Sequence, residues 1–175
     1  MLRPSVHARR IALTIATMFP LLDGSLDAQR ARPTPVALTP TELAWEFRAL
    51  DGTRTSLASF RGRVVVLNAW ATWCEPCVAE LQSLYALQRS LRDTSVVIVL
   101  VSPERAEPVR RFLTRRALPM RAYLEWSKAP AVFEFSAVPM TWILDPDGRL
   151  VLRHRGARRW DTPEVRALLD SLRSD

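Results

Sequence analysis

Two cysteines are the whole cysteine inventory of this 175-residue chain, and they lie three positions apart in Trp73-Cys74-Glu75-Pro76-Cys77. A Cys-x-x-Cys pair lets two sulfurs meet across the first turn of a helix, so the spacing points to reversible dithiol/disulfide exchange. An apolar run, Val64-Val65-Val66-Leu67, precedes the pair, and Leu81, Leu84, Leu87 and Leu91 come after it at helical spacing. The pair therefore falls where a strand gives way to a helix. A thiol at that point meets unpaired N–H groups and the positive end of the helix dipole, and both favour the thiolate. Cys74 is thus the expected nucleophile. Cys77, one turn inside the helix, is expected to be more buried and to resolve a mixed disulfide. Pro76 falls in the first turn, where a missing N–H costs nothing. Glu75 gains from the dipole but opposes a Cys74 thiolate through like charge.

A structural disulfide and half of a zinc site are the alternative readings of the pair. A zinc site needs further ligands, and His7 and His154 are the only histidines on offer. No metal or other cofactor is expected. The 25 basic residues exceed the 18 acidic ones, for a net charge of +7, and Lys128 is the lone lysine. The arginines are scattered through all segments, without aromatic interleaving or a nucleic-acid motif. They describe a solvated basic surface, and no nucleic-acid partner is expected.

The N-terminus has the make-up of a targeting segment. Arg3, Arg9 and Arg10 precede an apolar stretch from Ile11 to Leu22, and polarity returns at Asp23. That stretch falls short of the roughly 20 residues a membrane-spanning helix needs. Residues 1–28 therefore read as a signal peptide, with Leu26-Asp27-Ala28 before the cut, or as a short retained anchor. Either way the protein is expected to be exported, to the periplasm or the outer face of the cytoplasmic membrane. Residues 29–40, with Pro33, Pro35 and Pro40, read as an extended linker, and residues 41–175 as one domain. An exported chain whose only cysteines are vicinal uses them for exchange rather than for stapling a fold.

The elements that must position the dithiol can be read in chain order. Trp45 to Leu50, Asp51-Gly52 and Thr53 to Leu57 predict a hairpin with a two-residue turn. Val64 to Ala69 predicts a buried strand, and Glu75 to Leu91 the helix after it. The unbroken run Val96 to Val101 predicts a parallel strand covered on both faces. A basic helix is expected over Glu104 to Arg116, a short strand over Ala122 to Leu124, and a helical turn over Ala131 to Phe135. Thr141 to Leu144, Asp147-Gly148 and Leu150 to His154 predict a second hairpin. Pro163 to Leu172 predicts a closing helix with Asp161 or Thr162 as its N-cap. The order implies an α/β fold, a sheet with helices on both faces.

The stretch from Val64 to Cys77, VVVLNAWATWCEPC, resembles the thioredoxin superfamily, and within it the TlpA/ResA-like exported thiol-disulfide oxidoreductases. A second matching block is Val138-Pro139-Met140-Thr141-Trp142-Ile143-Leu144-Asp145-Pro146-Asp147-Gly148. The resemblance runs from about Thr41 to Leu172. It implies a thioredoxin-like fold: a central mixed sheet flanked by helices, an added N-terminal hairpin, and an insertion, here Leu118 to Ser136, before the strand that begins at a cis-proline. By position, Pro139 would be that cis-proline and face the dithiol, with Val138 offering its backbone to a bound peptide. Glu80, one turn after Cys77, would handle protons beside the dithiol; read from the residues alone it is equally an ordinary solvated helix glutamate. Trp70 is expected in the core and Trp73 on the rim over Cys74. Where thioredoxins proper carry a buried aspartate, six residues before the first cysteine, this chain has Asn68.

The implied activity is that of a protein-disulfide reductase. It would act on protein thiols and disulfides such as those of apocytochrome c, be recharged by a membrane electron donor, and work as a monomer. Two other activities share the fold class. A peroxiredoxin-type peroxidase needs Pro-x-x-x-Thr-x-x-Cys, and three positions before Cys74 stands Ala71. A copper-handling protein would need His154 brought to the two thiolates. A module that kept the fold for binding alone would have no use for both cysteines.

Overall fold

The structure is a computed structural model that describes residues 34–91 and 94–173. The expected signal peptide and the first part of the linker lie outside the described residues. Seven strands form one sheet: β1 (Glu46–Ala49), β2 (Arg54–Ser56), β3 (Val64–Ala69), β4 (Val96–Ser102), β5 (Ala122–Glu125), β6 (Met140–Leu144) and β7 (Leu150–Arg155). Their spatial order is β2-β1-β5-β4-β3-β6-β7. β3, β4 and β5 run parallel, while the two hairpins attach antiparallel at either side. The helices are α1 (Pro40–Leu43), α2 (Glu75–Ser90), α3 (Ala106–Arg115) and α4 (Pro163–Arg173). This is the thioredoxin-like arrangement the two sequence blocks implied.

β3 and β4 carry the long apolar runs, broken only by Asn68 and closed by Ser102, and every residue in both is buried. Their alternating side chains feed two cores. On one face Val64, Val66, Ile98 and Leu100 meet Leu81, Leu84 and Leu87 of α2, Val109 and Phe112 of α3, and Val165 and Leu169 of α4. On the other face Val65, Leu67, Val97 and Val99 meet Trp45, Phe47, Leu57, Phe60, Phe133 and Trp142. The three long helices thus share one core. The opposite face, where helices were also expected, is closed by the short α1, two 3-10 turns (Leu57–Phe60 and Ala131–Phe133) and stacked aromatics. Trp45 stacks on Phe133 at 5.3 Å, and Phe133 meets Trp142 edge-on at 5.7 Å. Indole donors pin the same segment: Trp45 Nε1 donates to the Ser127 carbonyl at 3.1 Å, and Trp142 Nε1 to the Val132 carbonyl at 3.2 Å.

The segment expected as an insertion supplies β5, and β5 is where the N-terminal hairpin joins the sheet. Three further differences from expectation have local causes. The first hairpin loop holds three residues rather than two, and the second holds three as well. Ala49 N–H donates to the Thr53 carbonyl and Asp145 N–H to the Arg149 carbonyl, which leaves Leu50-Asp51-Gly52 and Pro146-Asp147-Gly148 between the pairs. Each loop ends on a glycine at positive φ (Gly52 at 96°, Gly148 at 82°), the geometry of a turn closed by a left-handed residue. α3 starts at Ala106 rather than Glu104, with Arg105 in extended conformation as its N-cap. The described end of the expected linker is not extended spacer. Val36 exchanges two backbone hydrogen bonds with Leu150, each 2.8 Å, and Thr39 caps α1. At the closing helix Thr162 takes the cap position, its hydroxyl accepting from Val165 N–H at 3.4 Å.

The two glycine loops give a paired stability test. A Cβ at Gly148 would sit 3.2 Å from Leu43 Cδ2, whereas one at Gly52 meets nothing within 4 Å. Gly52→Ala should therefore lose only the cost of a left-handed non-glycine residue, about 1–2 kcal/mol, and Gly148→Ala more than that. Urea unfolding of the two variants measures the order, and equal losses would contradict the Leu43 contact.

Candidate active site

β3 runs fully buried up to Ala69, and the next residue, Trp70, anchors the chain as it leaves the sheet. Trp70 is fully buried against Phe112, with ring centres 5.4 Å apart, and its N–H donates to Val101 at 3.0 Å. The chain then turns through Ala71, Thr72 and Trp73, and Cys74 N–H donates back to the Ala71 carbonyl at 3.2 Å. Cys74 is the N-cap of α2, in extended conformation, and Cys77 N–H donates to its Sγ at 3.2 Å. A sulfur thus occupies the place where a serine or aspartate oxygen would satisfy a free helix N–H. Glu75 and Pro76 fill the first helical turn and are exposed.

Cys74 and Cys77 are joined as a disulfide, Cα to Cα 5.3 Å. Cys77 is fully buried and Cys74 retains 6% of its surface, so the order of exposure is as expected although neither sulfur stands out from the protein. The Val138-Pro139 peptide is cis, and Cys74 Sγ lies 3.6 Å from the Val138 carbonyl oxygen. Pro139 is buried at the start of β6, with its carbonyl taken by Gly156 N–H at 2.9 Å. Trp73, 71% exposed, stands at the rim. Beside it opens a cavity of about 390 Å³ lined by Trp73, Val138, Phe135, Ala129, Glu125 and Glu134 among others. Burial pushes the Glu125 carboxyl above the ordinary glutamate range, and a hydrogen bond from Ala129 N–H pulls it back.

Glu80 is not a solvated helix residue. It is 3% exposed and enters a polar network assembled from distant elements. Its Oε1 accepts from Asn68 Nδ2 at 2.8 Å, and its Oε2 from Trp160 Nε1 at 3.0 Å and from Arg158 N–H at 3.2 Å. Asn68 Nδ2 also donates to Thr141 Oγ1 at 2.9 Å. Desolvation pushes the Glu80 carboxyl above the ordinary value of 4.5, while the hydrogen bonds from Trp160, Asn68 and Arg158 oppose it. Asn68 Oδ1 and Trp70 Nε1 are buried without a partner among the described residues. His154 packs edge-on to Trp160 at 5.7 Å, and burial, with the Arg158 charge, holds its pKa below the ordinary value. Among the described residues no group of three or more His, Cys, Asp or Glu could hold a metal ion.

Sequence reasoning placed Cys74, Cys77, Trp73, Val138 and Pro139 at one locus, and the structure brings them together there. It did not find Arg158 or Trp160 as partners of Glu80, or Thr141 as the residue that holds Asn68. Only a polar Thr141 inside an apolar strand and a lone aromatic among charges at Trp160 hinted at them. It did not find Thr72 and Glu104 either, because Glu104 read as the first residue of a helix.

The Glu80 network has a pH signature. The ¹³C resonance of the Glu80 carboxyl should titrate above 4.5. Trp160→Phe, which removes one of the opposing hydrogen bonds, should move it higher. Between the unfolded and the raised folded value the native protein holds a proton that the unfolded chain has lost. Stability therefore falls as pH rises through that window. In Glu80→Gln this fall should be absent from urea titrations. A carboxyl titrating at or below 4.5 contradicts the desolvated placement.

Comparison with known proteins agrees with this geometry. The redoxin family matches residues 39–169. The thioredoxin-like protein YneN of Bacillus subtilis is 30% identical over 129 residues, covering 72% of this chain and 76% of that protein. The thiol-disulfide oxidoreductase ResA of Oceanobacillus iheyensis is 25% identical over 156 residues, covering 88% of this chain and 81% of its own length. Among solved structures, a Bacteroides vulgatus protein assigned as a thiol-disulfide oxidoreductase superposes with a TM-score of 0.62 at 28% identity, covering 73% of this chain and 91% of that one. With a sulfur capping α2 beside a cis-proline, and with relatives that share the fold over most of their length, the chain belongs to the redoxin family of the thioredoxin superfamily as a ResA-like thiol-disulfide oxidoreductase.

Proposed function

We propose that the Cys74-Cys77 dithiol reduces protein disulfides outside the cytoplasm, with Cys74 as nucleophile and Cys77 as resolving thiol. The observation that carries this reading is the placement of the Cys74 sulfur. It caps a helix N-terminus and lies 3.6 Å from the Val138 carbonyl, while Cys77 is sealed behind it.

The exchange proceeds in two balanced steps. The Cys74 thiolate attacks one sulfur of a substrate disulfide, forming a mixed disulfide and expelling one substrate thiolate. The Cys77 thiolate then attacks Cys74 Sγ, closing the internal disulfide and releasing the second substrate thiolate. Two electrons pass from the dithiol to the substrate, and no cofactor is needed. Cys77 N–H steadies the Cys74 thiolate, and Glu80, whose carboxyl desolvation raises above the ordinary range, takes the Cys77 proton. A substrate strand pairs with the backbone at Val138, and the apolar groove beside Trp73 receives its neighbouring side chains.

Export fits the dithiol's use, because an oxidising compartment is where misoxidised thiols need a reductant. Among the described residues no helix is long and apolar enough to cross a membrane. Electrons reach the dithiol from a membrane donor, and apocytochrome c thiols are the substrate class the family resemblance favours.

Two experiments test the assignment. Cys77→Ser incubated with a protein disulfide such as insulin should trap a mixed disulfide through Cys74, and Cys74→Ser should trap none. The reverse pattern would exchange the two roles. The reduction potential, measured in dithiothreitol buffers, should lie near about −250 mV, on the thioredoxin side of the superfamily range. Glu75→His should raise it, since a repelling charge beside Cys74 becomes a potentially attracting one. A potential near roughly −120 mV, that of the strong oxidants, would overturn the reductant reading.

A further inference from the structure

The loop that delivers Cys74 is tied to the neighbouring crossover by a contact that the two exchange steps leave unused. Glu104 lies in the connection between β4 and α3 and is half-buried. Its Oε2 accepts from Thr72 N–H at 2.7 Å, and its Oε1 from Thr72 Oγ1 at 2.7 Å. Ser102, the fully buried last residue of β4, donates through its hydroxyl to Glu104 Oε2 at 3.1 Å and accepts Glu104 N–H at 3.2 Å. One carboxylate thus takes three hydrogen bonds and joins two loops that are 32 residues apart in the chain.

The tie sits where the reaction most needs one. Trp70 N–H holds the chain to β4, and Cys74 N–H closes the turn onto Ala71. Between them Thr72 spends both of its donors on Glu104. In the oxidised protein the Cys74 sulfur is also fixed covalently by Cys77. In the dithiol and in the mixed disulfide that link is open. The position of Cys74 opposite Val138 then depends on the helix cap on one side and on the Ala71–Trp73 loop on the other. Thr72 is two residues from Cys74, so displacement of this loop moves the sulfur and the Trp73 rim together.

We propose that Glu104 is a positioning residue for thiol-disulfide exchange, holding Thr72 and through it the attacking sulfur of Cys74 while the internal disulfide is open. The proposal rests on the assignment of Cys74 as nucleophile. It concerns the geometry of the thiolate and not its protonation, which separates it from an electrostatic effect of the Glu104 charge. A small misplacement of a reacting atom costs rate without abolishing binding. The signature is therefore a lower kcat at unchanged KM, persisting at a pH where Cys74 is fully ionised.

The test measures insulin reduction by the wild-type dithiol protein and by Glu104→Ala, Thr72→Val, Thr72→Ser and the double variant Glu104→Ala/Thr72→Val, each across pH. Urea midpoints confirm that every protein is folded at the assay temperature. The expected result is a plateau rate lowered about tenfold in Glu104→Ala and lowered in Thr72→Val, with KM little changed. Thr72→Ser, which keeps both donors, should restore the rate. The double variant should lose no more than Glu104→Ala alone, because both changes break one contact. A plateau rate within twofold of wild type in Glu104→Ala, multiplicative losses in the double variant, or a Thr72→Ser as slow as Thr72→Val would each overturn the positioning role. A wild-type protein that leaves insulin intact would instead overturn the functional reading and the positioning role with it.

Discussion

A carboxylate carried into a protein interior must find donors or give up its charge. Glu80 faces that requirement one helical turn after Cys77, and the elements around it are fitted to it. α2 brings the carboxylate in one turn after Cys77. β3 supplies the Asn68 amide, β6 holds that amide through Thr141, and the segment after β7 returns Arg158 N–H and the Trp160 indole. Hydrogen bonds to a charged group contribute roughly 1.5–3 kcal/mol each, and losing one leaves the charge under-solvated. The network therefore couples the strand before the dithiol, the helix after it and the strand that begins at the cis-proline. Their relative positions are set by where donors must converge, not by apolar packing alone.

The same requirement explains what the sequence displayed and what it concealed. The dithiol, β3, β4 and α2 were legible because each rests on local pattern: a spacing of three, an unbroken apolar run, leucines at helical intervals. The cis-proline block was legible only through resemblance, since Val-Pro before a strand is in itself an ordinary X-Pro step. Glu80 is the instructive residue. Its position one turn after Cys77 suggested two opposite fates, solvated or buried, and no local feature separated them. The donors that decide the matter lie between 12 and 80 positions away. Trp160, flanked by Arg159 and Asp161, offers no periodicity to betray an inward side chain. Glu104 was concealed in the opposite way. A carboxylate just before an amphipathic stretch looks like the first turn of a helix, and only the tertiary contact with Thr72 shows it standing outside α3.

Boundaries failed where a backbone detail outranked composition. Asp51-Gly52 suggested a two-residue turn, but the glycine occupies the third loop position, with aspartate before it, and the first hairpin closes one residue wider. The Pro-rich run before the domain suggested free spacer, yet Val36 finds an unpaired edge at Leu150 and satisfies it. An edge strand is a standing invitation to pairing, and here the chain fills part of it with its own backbone.

The charges around Cys74 bear on the proposed direction of electron flow. A helix N-terminus and the Cys77 N–H both favour a thiolate at Cys74. Three carboxylates are placed against it: Glu75 on the first turn, buried Glu80 one turn after Cys77, and Glu104, bonded to Thr72 two residues upstream. Glu75 is exposed, so solvent and salt weaken its influence. Glu80 and Glu104 sit where the dielectric is lower and their charges reach further. A site meant to hoard reduced thiolate would carry cations in these places, and this chain has 25 basic residues to draw on, yet none of these three carboxylates has a described basic side chain as an ion-pair partner. Disfavouring the thiolate makes the dithiol readier to give up its electrons, which is the property a reductant in an oxidising compartment requires.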